Sequence, residues 1–487
     1  MVQQWYWPRA NPRGYKLTMT RLDAIARAAA YYDDGTFKDV LSRRVAVPTE
    51  SQGGDKLDVL RAYLTDDIIP AVEKLGFRCR IVENPAPGYG PFLIAERHEG
   101  DKLPTVLTYG HGDVVFGHAS SWRSGLDPWK ITVEGDRWYG RGTADNKGQH
   151  SINIAALEQV MATRGGKLGF NCKLLIEMGE EAGSPGLRQL AAAERDALSA
   201  DVLIGSDGPR LSAQRPTIFL GSRGAMNFEL AVELREGGHH SGNWGGGLAN
   251  AGTLLAHAIA TLVDSKGRIM VDALKPSSLP QAVRDALADV KIGQEPNDPE
   301  VDPDWGEPGL TTEERIFGWN TLEVLAFKTG TPDAPVNAIP PSAKATMQLR
   351  FVVGTNVDAI LPAVRTHLDA HGMQRVAVRP ARMETFTATR LDPTDPWVTW
   401  ALASMAKTTN KKPALLPNLG GSLPNDVFAD ILGMPTVWVP HSYPSCSQHA
   451  PDEHLLGSVA REALQIMAGL FYDLGEDGGR IVKERRA

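Results

Sequence analysis

Apolar positions along the chain follow two rhythms. Between residues 57 and 75 they recur at Leu57, Leu60, Leu64 and Ile68, the spacing of a helix with one buried stripe. Short apolar runs follow at 91–95 and 105–109, then a helical pattern over 145–160, then runs at 172–178 and 201–204 with a helix between them. Short continuous runs alternating with helices predict strands buried on both faces. That is the pattern of a mostly parallel sheet covered by helices.

After about residue 218 the pattern changes. Residues 227–234 alternate like a half-exposed strand and 247–263 read as a helix. Residues 321–327 and 343–353 read as strands, 357–371 as a helix and 375–378 as a strand. That order, β-α-β-β-α-β, is the ferredoxin-like plan. A stretch rich in proline and acids, 294–314, reads as a loop inside it. From about 396 the first rhythm resumes: helix 397–407, strand 414–417, helix 424–432, strand 436–440 and a long final helix over 452–474. The expectation is an α/β domain built from 1–218 and 389–487, interrupted by an inserted α+β domain over 219–388.

Composition narrows the class. Of 487 residues, 42% are hydrophobic and 22% charged, a globular balance that excludes a disordered chain. Lys+Arg 51 against Asp+Glu 58 leaves −7, with no basic footprint for nucleic acid. No apolar run reaches the roughly 18 residues of a membrane helix. The first residues, Met1 to Pro8, have no basic segment followed by an apolar one, so a secretory leader is not expected. The 3 cysteines, Cys79, Cys172 and Cys446, are odd in number and far apart, which fits a reducing cytoplasm.

Several run ends carry acids and histidines. His111 and Asp113 end the run at 105–109, at the carboxyl edge of a sheet, where α/β folds bind ligands. Taken alone, His111 also reads as a structural turn histidine. Asp145 follows a glycine-rich loop and opens a helix; it can cap that helix and still offer an oxygen to a metal. Glu180 and Glu181 end a buried run, where adjacent acids are costly unless a cation pairs with them or the helix start is solvated. Asp207 ends another run, and His449 precedes the last helix. Asp452 and Glu453 read as first-turn acids of that helix. Cys446 has no partner base in the sequence that would make it a nucleophile. Together, two histidines and three carboxylates at the ends of core elements suit a pair of divalent ions. Zinc fits, and manganese or cobalt accept the same donors.

Taken in order, His-x-Asp at 111–113, Gly-Arg-Gly-x-x-Asp-x-Lys-Gly at 140–148, the Glu pair, Asp207 and the late His449 resemble the M20 family of metallopeptidases. That family includes carboxypeptidases, aminoacylases, desuccinylases and carnosinase-like dipeptidases. The resemblance runs from about Asp39 to Leu474. It implies a phosphorylase/hydrolase-like catalytic domain with an inserted lid and dimerisation domain. It also implies that Asp145 bridges two metals, with His111 and Asp207 on one and Glu181 and His449 on the other. Asp113 would orient the His111 imidazole, and Glu180 would be the general base.

His240, in Gly-Gly-His-His-Ser-Gly, is similar to the lid histidine that reaches the partner subunit's site and stabilises the oxyanion. Asn337 and Arg350, 13 residues apart, resemble the dipeptidase segment whose arginine contacts the substrate carboxylate. On strand alternation alone, Arg350 could equally face solvent. Gly421 and Ser422 lie in a Gly-Gly-Ser-Leu-Pro loop similar to the family's carboxylate-binding loop. The charged residues that many dipeptidases place before this loop are replaced by Asn418 and Leu419. The resemblance therefore implies a homodimeric, cytoplasmic, binuclear hydrolase acting on a small peptide next to a free carboxylate. An amidohydrolase acting on an N-acyl amino acid is the alternative. A non-catalytic binding protein on the same fold is the remote one.

Overall fold

The computed structural model describes residues 19–293, 298–381 and 385–487. The first residues, on which the leader expectation rests, and part of the loop expected over 294–314 lie outside them. Among the described residues no helix is long and apolar enough to cross a membrane.

Among the described residues the large sheet has eight strands. From one edge to the other they are Arg78–Val82, Phe92–Arg97, Asn171–Glu177, Thr105–His111, Val202–Gly205, Thr436–Trp438, Thr217–Phe219 and Ala414–Leu416. Its centre is parallel, as the buried runs predict, while Phe92–Arg97 pairs antiparallel on both sides and Trp438 meets Phe219 antiparallel. The sheet is therefore mixed.

Successive side chains on a strand point to opposite faces, and two cores result. Leu93, Ala95, Val106, Leu174, Ile176 and Ile204 enter one core, with the helices Lys147–Thr163, Pro396–Thr409 and Gly457–Arg486. Phe92, Ile94, Leu107, Tyr109, Leu175 and Leu203 enter the other, with Leu187–Ala193.

Two helices not anticipated from the apolar rhythm, Arg21–Asp33 and Thr36–Val45, pack on the first of these cores. Arg21 is bound to Asp473 at 2.8 Å, which ties the start of the described chain to its last helix. Arg44 is bound to Asp67 at 2.7 Å and donates to Ser151 Oγ at 2.7 Å.

The last helix departs from its expected limits at both ends. It begins at Gly457, because His454–Leu456 is instead a strand paired with Arg137–Tyr139. Asp452 and Glu453 are therefore not its first-turn acids. It continues to Arg486 through Gly475 and Gly478, which would ordinarily mark a helix end. Gly475 is needed for close packing: a Cβ there would lie 2.4 Å from the Leu168 carbonyl oxygen.

The second sheet is antiparallel, in the order Thr321–Thr329, Ser342–Phe351, Gly224–Glu233 and Ala377–Pro380. Helices Ala251–Leu262 and Ile360–Ala370 cover one face, over a core of Phe228, Leu230, Leu255 and Val364. This is the ferredoxin-like order the sequence predicts. Between the first of these helices and Thr321–Thr329 the described residues include the short α-helices Gln281–Leu287 and Thr312–Gly318. Their apolar residues Val283, Leu287 and Phe317 join the second core of the large sheet.

Trp438 is fully buried at the centre of that core. It stacks on Phe219 with ring centroids 5.8 Å apart, and its indole N–H donates to Asn425 Oδ1 at 2.7 Å. Trp438→Ala is expected to lower the unfolding free energy by about 3–5 kcal/mol, measured by urea denaturation.

Candidate metal centre

The parallel strands end along one edge of the large sheet, and the acids and histidines gather there. His111 is the last residue of Thr105–His111. Gly112 follows it because a Cβ at this position would lie 2.6 Å from both Met178 Sδ and Tyr63 Cε1. The His111 ring donates from Nδ1 to the Asp113 backbone carbonyl at 3.1 Å, which turns Nε2 toward Asp145 Oδ1 at 3.0 Å. The Asp113 carboxylate stands off at 3.5 Å and is engaged elsewhere. It accepts the backbone N–H of Glu180 at 3.2 Å and of Glu181 at 3.1 Å. Asp113 thus holds the imidazole mainly through its main chain. Its side chain pins the turn that carries both glutamates.

Asp145 uses its second oxygen on the other half of the site. Oδ2 accepts from His449 Nε2 at 3.0 Å and from the Gln448 side-chain amide. His449 Nε2 also lies 3.0 Å from Glu181 Oε2. His449 sits in the left-handed region at φ 61°, with Ser447 at 58° and Asp452 at 62°. A run of non-glycine residues in that region is strained, and here it aims one ring into the centre.

Asp207 accepts the Gly208 N–H through Oδ1 at 2.6 Å. Its Oδ2 is buried, has no hydrogen-bond partner, and lies 3.8 Å from His111 Nε2. Glu180 Oε2 is 3.9 Å from the same nitrogen.

The electrostatics are those of a site short of positive charge. Burial, reinforced by Asp145, pushes the Asp207 carboxyl up to about 6 and the Glu181 carboxyl up to about 7. Burial drives Glu180 well above the usual carboxylate range; the nearby acids add to this and His111 opposes it. Burial also raises Asp145, but hydrogen bonds from His111 and His449 outweigh it and hold that carboxyl low. Hydrogen bonds to Asp145 and Glu181 push the His449 imidazole up to about 11.

The donor set fits divalent cations. One ligand atom each from His111, Asp145 and Asp207 lies within 4.8 Å of the others, as do atoms of Asp145, Glu181 and His449. The orphaned Asp207 oxygen is the atom a cation would satisfy.

A cavity of about 630 Å³ runs from these acids to a second cluster. Asp145, Glu180, Asp207 and His449 line one part, and Arg350, Gly421 and Ser422 another. Arg350 is half-buried rather than exposed; it donates from Nη1 to Ser422 Oγ at 2.8 Å. Ser422 in turn donates to the Arg223 carbonyl at 2.9 Å. His240 and Asn337 are not at this cavity. They lie together on a ribbon where His239–His240 pairs with Ala338–Ile339. Both are exposed, and the Asn337 carbonyl accepts the Ser241 N–H at 2.8 Å.

One residue central to the geometry has no signal in the sequence. Glu453 is buried beneath the Asp145 loop. Its Oε1 accepts the N–H groups of Gly142 at 3.0 Å, Ala144 at 3.0 Å and Asp145 at 3.1 Å. Its Oε2 is bound to the buried Arg141 at 2.8 Å.

The profile of peptidase family M20/M25/M40 matches residues 107–473. The cysteinylglycine-S-conjugate dipeptidase of Corynebacterium striatum is 28% identical over 291 residues, covering 57% of this chain and 60% of that one. The beta-Ala-His dipeptidase of Mus musculus is 29% identical over 297 residues, 58% of each chain. These alignments reach no more than 60% of either relative's length. The crystal structure of human carnosine dipeptidase 1 superposes with a TM-score of 0.73 at 23% identity, over 93% of this chain and 99% of that one. That last likeness establishes the fold.

Removing one partner of a buried, hydrogen-bonded ion pair destabilises a protein by about 3–5 kcal/mol. Glu453→Gln leaves the Arg141 charge uncompensated and is expected to lose stability on that scale in urea denaturation. Metal affinity, measured by competition with a chelator, is expected to fall with it.

Proposed function

The chain belongs to peptidase family M20/M25/M40, and from that premise we propose that it is a binuclear metal-dependent dipeptidase or small-peptide carboxypeptidase. The observation that carries this reading is one cavity with acids and imidazoles at one part and the Arg350–Ser422 pair at another. An amide bond and a free carboxylate on the same small substrate need those two features together.

His111, Asp145 and Asp207 are assigned to one ion, and Asp145, Glu181 and His449 to the other. Zinc is the first choice, with manganese and cobalt accepting the same donors. Such ions, when bound, make water acidic enough to attack at neutral pH and polarise a carbonyl. Glu180, whose carboxyl burial raises, accepts the proton of the attacking water and returns one to the leaving amine. Asp113 keeps Glu180 and Glu181 in register through their N–H groups. Arg350 and Ser422 hold the substrate carboxylate, with Gly421 beside them; a guanidinium suits that ligand.

His240 and Asn337 are assigned to the partner subunit's site in a homodimer formed through the second sheet. Their exposure on a shared ribbon supports this, as does the edge strand Thr321–Thr329, where Leu325 is 52% exposed. The free thiols of Cys79, Cys172 and Cys446 support a cytoplasmic location.

An N-acyl amino acid would use the same carboxylate anchor. One observation favours it: Asn418 and Leu419 supply no charge for a substrate ammonium, and the Asn418 amide is spent on the Thr389 carbonyl at 2.8 Å.

Glu180→Gln is expected to lower kcat by about a hundredfold or more while metal content stays near that of the wild type. Elemental analysis and initial rates on a dipeptide panel check both; retained activity would remove Glu180 from its role. His240→Ala is expected to abolish most turnover as a homodimer. Mixed dimers of His240→Ala and Glu180→Gln chains are expected to regain activity at one of their two sites. No recovery in purified mixed dimers would place His240 outside the partner's site.

A further inference from the structure

We propose that the helices Gln281–Leu287 and Thr312–Gly318, with Ile292 and Val301, wall a subsite for a bulky apolar side chain. That side chain belongs to the substrate residue that carries the free carboxylate. The inference rests on the hydrolase reading above and adds the substrate's side-chain class to it.

These helices are held against the large sheet. Val283, Leu287, Val290 and Phe317 share a core with Leu203, Phe219 and Leu416 of that sheet. Thr311 and Glu314 form a reciprocal cap at the start of Thr312–Gly318, each accepting the other's backbone N–H, at 3.2 and 2.9 Å. Arg284 on the neighbouring helix donates to Glu314 Oε1 at 2.7 Å. The wall is thus built and braced.

Among the described residues, the side chains this wall turns to the cavity are apolar apart from Asp298. Ile292, Val301, Ile316 and Phe317 line the 630 Å³ cavity, joined by Leu419. Their position identifies which part of a substrate they meet. A methyl group added at Gly420 would touch Ile316 Cγ2 at 3.7 Å and Phe317 Cε1 at 3.8 Å. Gly420 adjoins the Gly421–Ser422 turn that Arg350 contacts. The apolar wall therefore stands beside the carboxylate anchor, and the side chain on the carboxylate-bearing residue lies against it. Among the described residues, two other charged groups line the cavity. Arg210 is bound to Glu462 at 2.6 Å, and Asp298 is partly exposed. An apolar pocket discriminates by about 10–200-fold per methylene at best, so the preference is expected to be large but graded.

The test compares kcat/KM of the metal-loaded enzyme on Ala-Gly, Ala-Asp, Ala-Lys, Ala-Leu and Ala-Phe. N-acetyl-Gly and N-acetyl-Leu form a second series that presents the same carboxylate-bearing residue. Leu and Phe are expected to exceed Gly by about tenfold or more in whichever series is cleaved. Ile316→Ser and, separately, the more exposed Val301→Ser are each expected to reduce the Leu-to-Gly ratio, with circular dichroism checking that each variant is folded. Equal rates across side chains, or a preference for Lys that would point to Asp298, would overturn the apolar subsite and leave the hydrolase reading intact. An unchanged ratio in both folded variants would also overturn it. Cleavage of neither series would overturn the hydrolase reading and this inference with it.

Discussion

The Asp145 carboxylate accepts from His111 through one oxygen and from His449 through the other, 3.0 Å each, and the centre is organised around keeping that charge buried between them. The two histidines are far apart in the sequence, on either side of the second sheet's segment. Holding them within reach of one side chain requires the early strands, the central helix and the last helix to close on each other. The Arg21–Asp473 pair, the core shared by the helices Lys147–Thr163 and Gly457–Arg486, and Glu453 beneath the Asp145 loop all act toward that closure. Four carboxylates against two imidazoles leave the site electrostatically unfavourable without a cation. Asp207 Oδ2, buried and unpaired, is the clearest sign of it.

A second constraint joins the two sheets. Arg350 belongs to Ser342–Phe351 of the ferredoxin-like sheet, yet it donates to Ser422 on a loop of the large-sheet unit. The helices Gln281–Leu287 and Thr312–Gly318 belong to the inserted stretch of sequence and pack into the core of the large sheet. The insertion therefore supplies the proposed carboxylate anchor and one wall of the cavity, while the large sheet supplies the acids. The proposed chemistry and the proposed substrate selection thus draw on different parts of the chain that meet at one cavity.

Much of the centre could be anticipated because its residues end elements with strong periodicity. His111, Glu181 and Asp207 each follow a buried apolar run, and Asp145 follows a glycine-rich loop just before the helix Lys147–Thr163, which it neither opens nor caps. The ferredoxin-like order was also legible, since its strands and helices are long enough to show their period. Other features carried no such signal. Glu453 is an acid in a loop near a helix start, and nothing local distinguishes a buried ligand of three N–H groups from a first-turn acid. The helices at 281–287 and 312–318 span seven residues each and flank a proline-rich stretch, so their periodicity is too short to emerge. Gly475 and Gly478, of a residue type that ordinarily ends helices, lie inside a longer one and serve close packing. The separation of His240 and Asn337 from the cavity depends on tertiary contacts that no spacing reveals.

The claim that Asp145 is shared by two ions is tested most directly by metal content. Wild-type protein and Asp145→Asn, each equilibrated with zinc and freed of excess, are compared by elemental analysis per folded chain. The account predicts about two ions in the wild type and fewer than one in the variant, because both sites lose a ligand together. Two ions retained in the folded variant, or at most one in the saturated wild type, would contradict it.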